Sequence, residues 1–110
     1  MDDAAVREDW NALGLAAVHV GISLVGAVTT WFLKERSSDA DHEAAAHLVR
    51  RVPLAGALDR AGQFEQLIRA KDAVEYEARS FGVQEARASQ QRAARLLSWA
   101  EASIRSPAKL

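Results

Sequence analysis

Of the residue types that carry protons or ligate metals, the chain has three histidines, His19, His42 and His47, and no cysteine. His42 and His47 stand five residues apart, one step off the four-residue spacing that puts two ligands on the same side of a helix, and no third ligand accompanies them. No metal centre is expected. Without a thiol there is also no disulfide, no thiolate nucleophile and no Cys-ligated zinc, which fits a reducing compartment. No serine, histidine and acid follow one another as a nucleophile with its base and orienting group. Asp39, Asp41 and Glu43 alternate at the opening of a helix, where they complement its dipole, and His42 sits among them at an exposed helix start. His19 falls inside a long apolar run and reads as a hydrogen-bonded core histidine. Trp10, Trp31 and Trp99 read as large packing groups.

The richest polar segment is LIRAKDAVEYEARSF, Leu67 to Phe81, which sets Arg69, Lys71, Glu75 and Tyr76 on one helix. Lys71 and Glu75, four apart, have the spacing of a helix-surface ion pair, an interaction of about 0.3 kcal/mol. Proton transfer near neutral pH favours groups whose pKa lies near 7, which lysine and tyrosine do not reach without large shifts. Neither Lys71 nor Tyr76 is therefore expected to carry protons in catalysis. No catalytic residue and no cofactor are assigned.

These residues must be positioned by helices. At 110 residues the chain is one domain, 1–110, and its 49% apolar content with only 6% aromatics reflects abundant alanine, the strongest helix former. The first helix is expected over residues 3–35, opened by Asp2 or Asp3 with Glu8 and Asp9, and closed by Lys34 and Arg36. Within it, Ala12 to Leu33 carries no formal charge over 22 residues, long enough to span a bilayer. Its many small residues pack closely but insert poorly, so a core helix without membrane contact is the expectation, and the cytoplasm the expected location. Its apolar circumference exceeds what three shorter neighbours can cover, which predicts a homodimer, with Gly14, Gly21 and Gly26 allowing close approach.

A second helix is expected from about Ala40 to Val52, capped by Ser38 or Asp39, facing inward with Ala44, Leu48 and Val52, and ended by Pro53. The third begins near Leu54 or Asp59 and follows the stripe Ala57, Ala61, Phe64, Leu67, Ile68, Lys71, Val74 and Ala78, where Lys71 snorkels or faces a cleft. The fourth runs from Val83 or Gln84 to Ile104 with the seam Val83, Ala86, Gln90, Ala93, Leu97, Ala100 and Ile104. Short connections imply antiparallel neighbours, hence an all-α up-and-down bundle of four to five helices. Residues 1–43 hold eight acids against three bases, so the net charge of −1 leaves residues 44–110 mildly basic. Their arginines are interleaved with acids, as on a solvated helix face rather than a nucleic-acid groove.

Lys71-Asp72 followed by Val74-Glu75-Tyr76 resembles the third-to-fourth helix region of the HEPN domains (higher eukaryotes and prokaryotes nucleotide-binding). Val18 to Leu24 is similar to that family's first long helix, Asp41-His42-Glu43-Ala44-Ala45 to its His-led second helix, and Glu85-Ala86 through Trp99-Ala100 to its last. The resemblance covers nearly the whole chain and implies a HEPN-like bundle, commonly a homodimer with a cleft at the dimer interface. It further implies a nucleotide or RNA as ligand, or a nucleotidyltransferase-type antitoxin as protein partner. The family's ribonucleases need an Arg followed four to six residues later by His; here Lys71 stands near the place of the Arg, and Glu75 or Tyr76 at that of the His. The literal match, Arg36 to His42, crosses the first loop instead of that helix. The resemblance therefore implies a non-catalytic binding module with a cleft lined by Arg69, Lys71, Glu75 and Tyr76, joined by Arg36 and His42, with a toxin-type ribonuclease of non-standard site and a purely structural dimerising protein as alternatives.

Overall fold

The computed structural model describes residues 3–37 and 41–105, with side chains from Glu8 onward. Asp2, Ser38 and Asp39, expected as helix caps, lie outside the described residues. Four α-helices account for the fold: α1 (Asp3–Leu33), α2 (His42–Arg51), α3 (Ala57–Tyr76) and α4 (Val83–Ile104). Among the described residues there is no strand, so the chain is an all-α bundle.

The ends of the helices follow local chemistry. The Asp41 side chain accepts the Ala44 N–H at 2.9 Å and opens α2. Val52, placed before Pro53, is extended (φ −65°, ψ 127°) and cannot continue α2. Gly56, at φ 85°, takes the left-handed conformation that lets the chain re-enter a helix at Ala57. At the other end of α3 that conformation falls on Ala78 (φ 51°), and the Arg79 N–H closes the turn on the Val74 carbonyl at 3.1 Å.

The bundle's core is built from small residues with a few large plugs. Val18 and Val25 of α1 meet Ala45, Ala46 and Val49 of α2, Ala61, Phe64, Leu67 and Val74 of α3, and Ala86 and Leu96 of α4. Val28, Val52, Ala57 and Ala100 form a second, smaller cluster toward the end of α1. Phe81, in the α3–α4 turn, is buried over Gly14, and its N–H donates to the Asn11 side-chain oxygen at 3.0 Å. Thr29, also buried, donates its hydroxyl to the Val25 carbonyl at 2.9 Å and so satisfies itself within α1.

Helix directions depart from strict up-and-down alternation. α3 runs against α1, since Ala57 clusters with Val28 while Leu67 lies over Gly21, and α4 runs with α1, from Phe81 at Gly14 to Ala100 at Val28. α2 also runs in the sense of α1: His42 meets Phe64 near the level of Gly21, and Arg51 at its far end pairs with Glu35 at 3.0 Å.

Three expected faces are corrected. α2 buries Ala45, Ala46, Val49 and Val52, whereas Ala44 and Leu48 are half-buried. α2 covers α1 and α3 at once, which turns its buried arc by one residue. α4 buries Ser89, Leu96 and Ser103 beside Ala86, Ala93 and Ala100, leaving Val83, Gln90 and Leu97 exposed and Ile104 half-buried. Two of its inward positions are serines, and the Ser103 hydroxyl enters by donating to the Trp99 carbonyl at 2.7 Å. In α3, Ala78 lies beyond the helix and is exposed. His19 is exposed as well, because it lies on the side of α1 turned away from the other helices.

Candidate functional site

His42 is the residue on which two concavities converge. As the first residue of α2 it is half-buried, with its ring edge-on to Phe64 at 6.4 Å between centroids. On its inner side lies a cavity of about 10 Å³, close to the size of one water molecule, lined by Gly26, Thr29, Arg36, Ser37 and His42 among others. Gly26 makes this arrangement fit. A Cβ there would stand 3.0 Å from the Arg36 Nε, so the missing side chain is what lets the guanidinium lie against α1.

On the outer side, α2 and α3 enclose an open groove of about 450 Å³ lined by Asp41, His42, Glu43, Glu65, Ile68, Arg69 and Asp72. Glu65, Ile68, Arg69 and Asp72 recur at three- and four-residue steps and so share one side of α3. Glu65 is paired with Arg50 and Asp41 is committed to the α2 cap. Even so, Glu43 and Asp72 face a single arginine, and the groove has an acidic lining. His47 stands at its continuation with Arg50 and Glu65, and is exposed.

The six residues expected to bind divide into two groups. Arg36, His42 and Arg69 gather around the start of α2. Lys71, Glu75 and Tyr76 do not join them: residues two apart on a helix point about 200° away from each other, so Arg69 and Lys71 serve different sides of α3. Lys71 is largely covered and its Nζ pairs with Glu75 at 3.0 Å, while Tyr76 is 92% exposed at the last residue of the helix. The acids of the groove were missed as a set, although the spacing of Glu65, Arg69 and Asp72 was there to read. Among the described residues no group of three or more His, Asp or Glu side chains could hold a metal ion.

A separate charged cluster locks the α3–α4 turn. Arg79 donates to both carboxylate oxygens of Glu85, at 2.6 and 2.9 Å, and also pairs with Glu77. Glu85 in turn accepts the Gly82 N–H at 3.1 Å, capping α4. The hydrogen bonds from Arg79 hold the Glu85 carboxyl below the usual carboxylate range, and Glu85 and Glu77 push the Arg79 guanidinium up.

The tryptophans differ in role. Trp10 packs at the core with the Arg87 guanidinium 5.2 Å over its ring, and the Trp99 indole donates to the Ala55 carbonyl at 3.2 Å. Trp31, expected as a packing group, is half exposed beside an open groove of about 480 Å³ lined by Ser23, Gly26, Ala27, Thr30, Lys34 and Arg36. Comparison of the chain with family models, with curated proteins and with solved structures gave no match.

Proposed function

We propose that the chain is a HEPN-like, non-catalytic binding module whose α2–α3 groove takes a basic segment of a protein partner. The observation that carries this reading is the groove's lining, in which Asp41, Glu43, Glu65 and Asp72 surround Arg69 and His42. Binding to a nucleic-acid backbone rests on an excess of cations that replace counterions, and this lining has the opposite balance. A Lys- or Arg-bearing segment meets complementary charge there, with Ile68 offering apolar contact. Among the partners the resemblance implies, a protein that offers such a segment, the place a nucleotidyltransferase-type antitoxin would take, fits this chemistry better than a nucleotide or RNA. A cytoplasmic site of action belongs to the same reading.

The test is fluorescence anisotropy with a labelled Lys/Arg-rich peptide and a labelled single-stranded RNA of equal length. The peptide is expected to bind, to weaken as salt rises, and to lose at least about tenfold in affinity with Asp72→Lys, since a like charge replaces an attractive one. Tighter binding of the RNA than of the peptide would reverse the reading.

One observation favours a second reading. Arg36 and His42, the literal Arg-to-His spacing, line the same small cavity. A ribonuclease built on this pair would use the Arg36 guanidinium to stabilise phosphate charge and the His42 imidazole as proton carrier. RNA cleavage by the purified chain that disappears in both Arg36→Ala and His42→Ala would establish it in place of the first.

A further inference from the structure

α1 has a face that nothing in the described chain covers. Ala12, Ala16, His19, Val20, Ser23, Ala27, Thr30 and Trp31 are all exposed, and their three- and four-residue spacing places them in one stripe. No charged residue interrupts it between Asp9 and Lys34. The outward sides of α3 and α4, by contrast, carry Asp59, Arg69, Asp72, Arg87, Arg95 and Glu101. The stripe is acidic at its start, with Glu8 and Asp9, and the basic, exposed Lys34 follows directly after its last turn, just beyond α1. Asp9 and Lys34 form no ion pair among the described residues.

We propose that this stripe receives the same stripe of a second copy of the chain, packed antiparallel about a two-fold axis between Val20 and Ser23. An antiparallel arrangement is the one that sets the acidic end of each helix against the basic end of the other. Lys34 follows the last helical residue, Leu33, in a left-handed conformation, and bringing Asp9 to the partner's Lys34 sets this register along the helices: Ala12 meets the partner's Trp31, Ala16 the partner's Ala27, and Val20 the partner's Ser23. Large meets small at each end, and small meets small where the helices must come closest. The open groove beside Trp31, with Ser23, Ala27 and Thr30 in its wall, is then filled by the first half of the partner's α1. A self-complementary patch of this kind is what a two-fold interface requires.

A bilayer is the rival occupant, since Glu8–Leu33 is long and apolar enough to cross one, with mean hydropathy 1.9 and 44% of its most apolar window buried. The composition of the exposed stripe disfavours lipid. Alanine, serine, threonine and His19 gain little from hydrocarbon, and Glu8 and Asp9 are repelled by an anionic surface. This proposal stands apart from the ligand of the α2–α3 groove.

Because the chain has no cysteine, an introduced thiol is unique, and disulfide trapping reads the register directly. Ala16→Cys mixed with Ala27→Cys is expected to give a cross-linked dimer under mild oxidation, whereas Ala27→Cys alone stays uncross-linked because its own copies lie about 16 Å apart along the axis. In sedimentation of the cysteine-free chain, Asp9→Lys and Lys34→Asp are each expected to weaken association severalfold, and the double substitution to restore it. Self-linking of Ala27→Cys in excess of the mixed product would overturn the antiparallel register. A 12.0 kDa species at high micromolar concentration, or a monomer that floats with phosphatidylglycerol vesicles, would overturn the proposal itself.

Discussion

The two sides of α1 are made of similar small residues and put them to different uses. On the inward side each glycine is occupied by a named neighbour: Phe81 lies over Gly14, and a Cβ at Gly21 would stand 2.7 Å from the Leu67 Cδ1. On the outward side Ala12, Ala16, Ala27 and Thr30 are exposed, with Trp31 half exposed at the end of the row. Small residues by themselves do not say which side of a helix is covered. What decides it is whether another part of the same chain supplies the large group that fills the space. The three glycines expected to serve a dimer are therefore spent within the monomer: Gly14, Gly21 and Gly26 are buried, and Gly26 accommodates Arg36.

The largest way to break this contrast is to remove an inward plug. Phe81→Ala is expected to lose about 3–5 kcal/mol of stability in urea unfolding, as for other buried aromatics. Gly14→Ala, which drives a methyl into the same ring, is expected to cost about 1–3 kcal/mol, more than Gly21→Ala, where the flexible tip of Leu67 can swing aside. The contrast with the outward side is then sharp: Ala16→Ser should leave the unfolding midpoint within about 0.5 kcal/mol of the parent.

The turn that presents Phe81 allows a gain. Ala78 holds a left-handed conformation that costs a side-chain-bearing residue about 1 kcal/mol, so Ala78→Gly is expected to raise the thermal midpoint. Lowering the pH should loosen the same turn. The Glu85 carboxyl is held below its ordinary value in the folded chain, so its contribution is fully present above the ordinary carboxylate range and is lost as pH falls through the lowered value. Glu85→Gln should flatten the acid side of a plot of melting temperature against pH. The smallest effect belongs to the Lys71–Glu75 pair on α3, where Glu75→Gln removes the ion pair from its exposed partner and is expected to cost about 0.3 kcal/mol.

Periodicity and caps made the four helices legible in the sequence, because alanine-rich segments bounded by Pro53, by Ser80-Phe81-Gly82 and by acidic openings have few alternatives. Faces were less legible. On α4 the three- and four-residue steps predict a seam through Gln90, Leu97 and Ile104, whereas the buried arc runs one residue away, through Ser89, Leu96 and Ser103. His19 looked internal because its neighbours in sequence are apolar, yet an apolar neighbourhood along the chain is not burial when one side of the helix is unpartnered. Of the candidate site, Arg36, His42 and Arg69 are legible as residues, but their convergence is not, since it depends on Arg36 lying back against Gly26 and on α2 packing across α3. The separation of Arg69 from Lys71 followed from helix geometry alone and could have been read beforehand.

The claim that joins these observations is that α1 divides its apolar surface between its own chain and a second copy. The most direct test is sedimentation equilibrium combined with circular dichroism on two charge insertions, one for each side: Val25→Lys, where the parent residue is 2% exposed, and Ala27→Lys, where it is exposed. The account predicts that Val25→Lys unfolds the chain, whereas Ala27→Lys keeps the helical spectrum and shifts the mass from twice 12.0 kDa to a single chain. An Ala27→Lys protein that sediments at the same mass as the parent would contradict it.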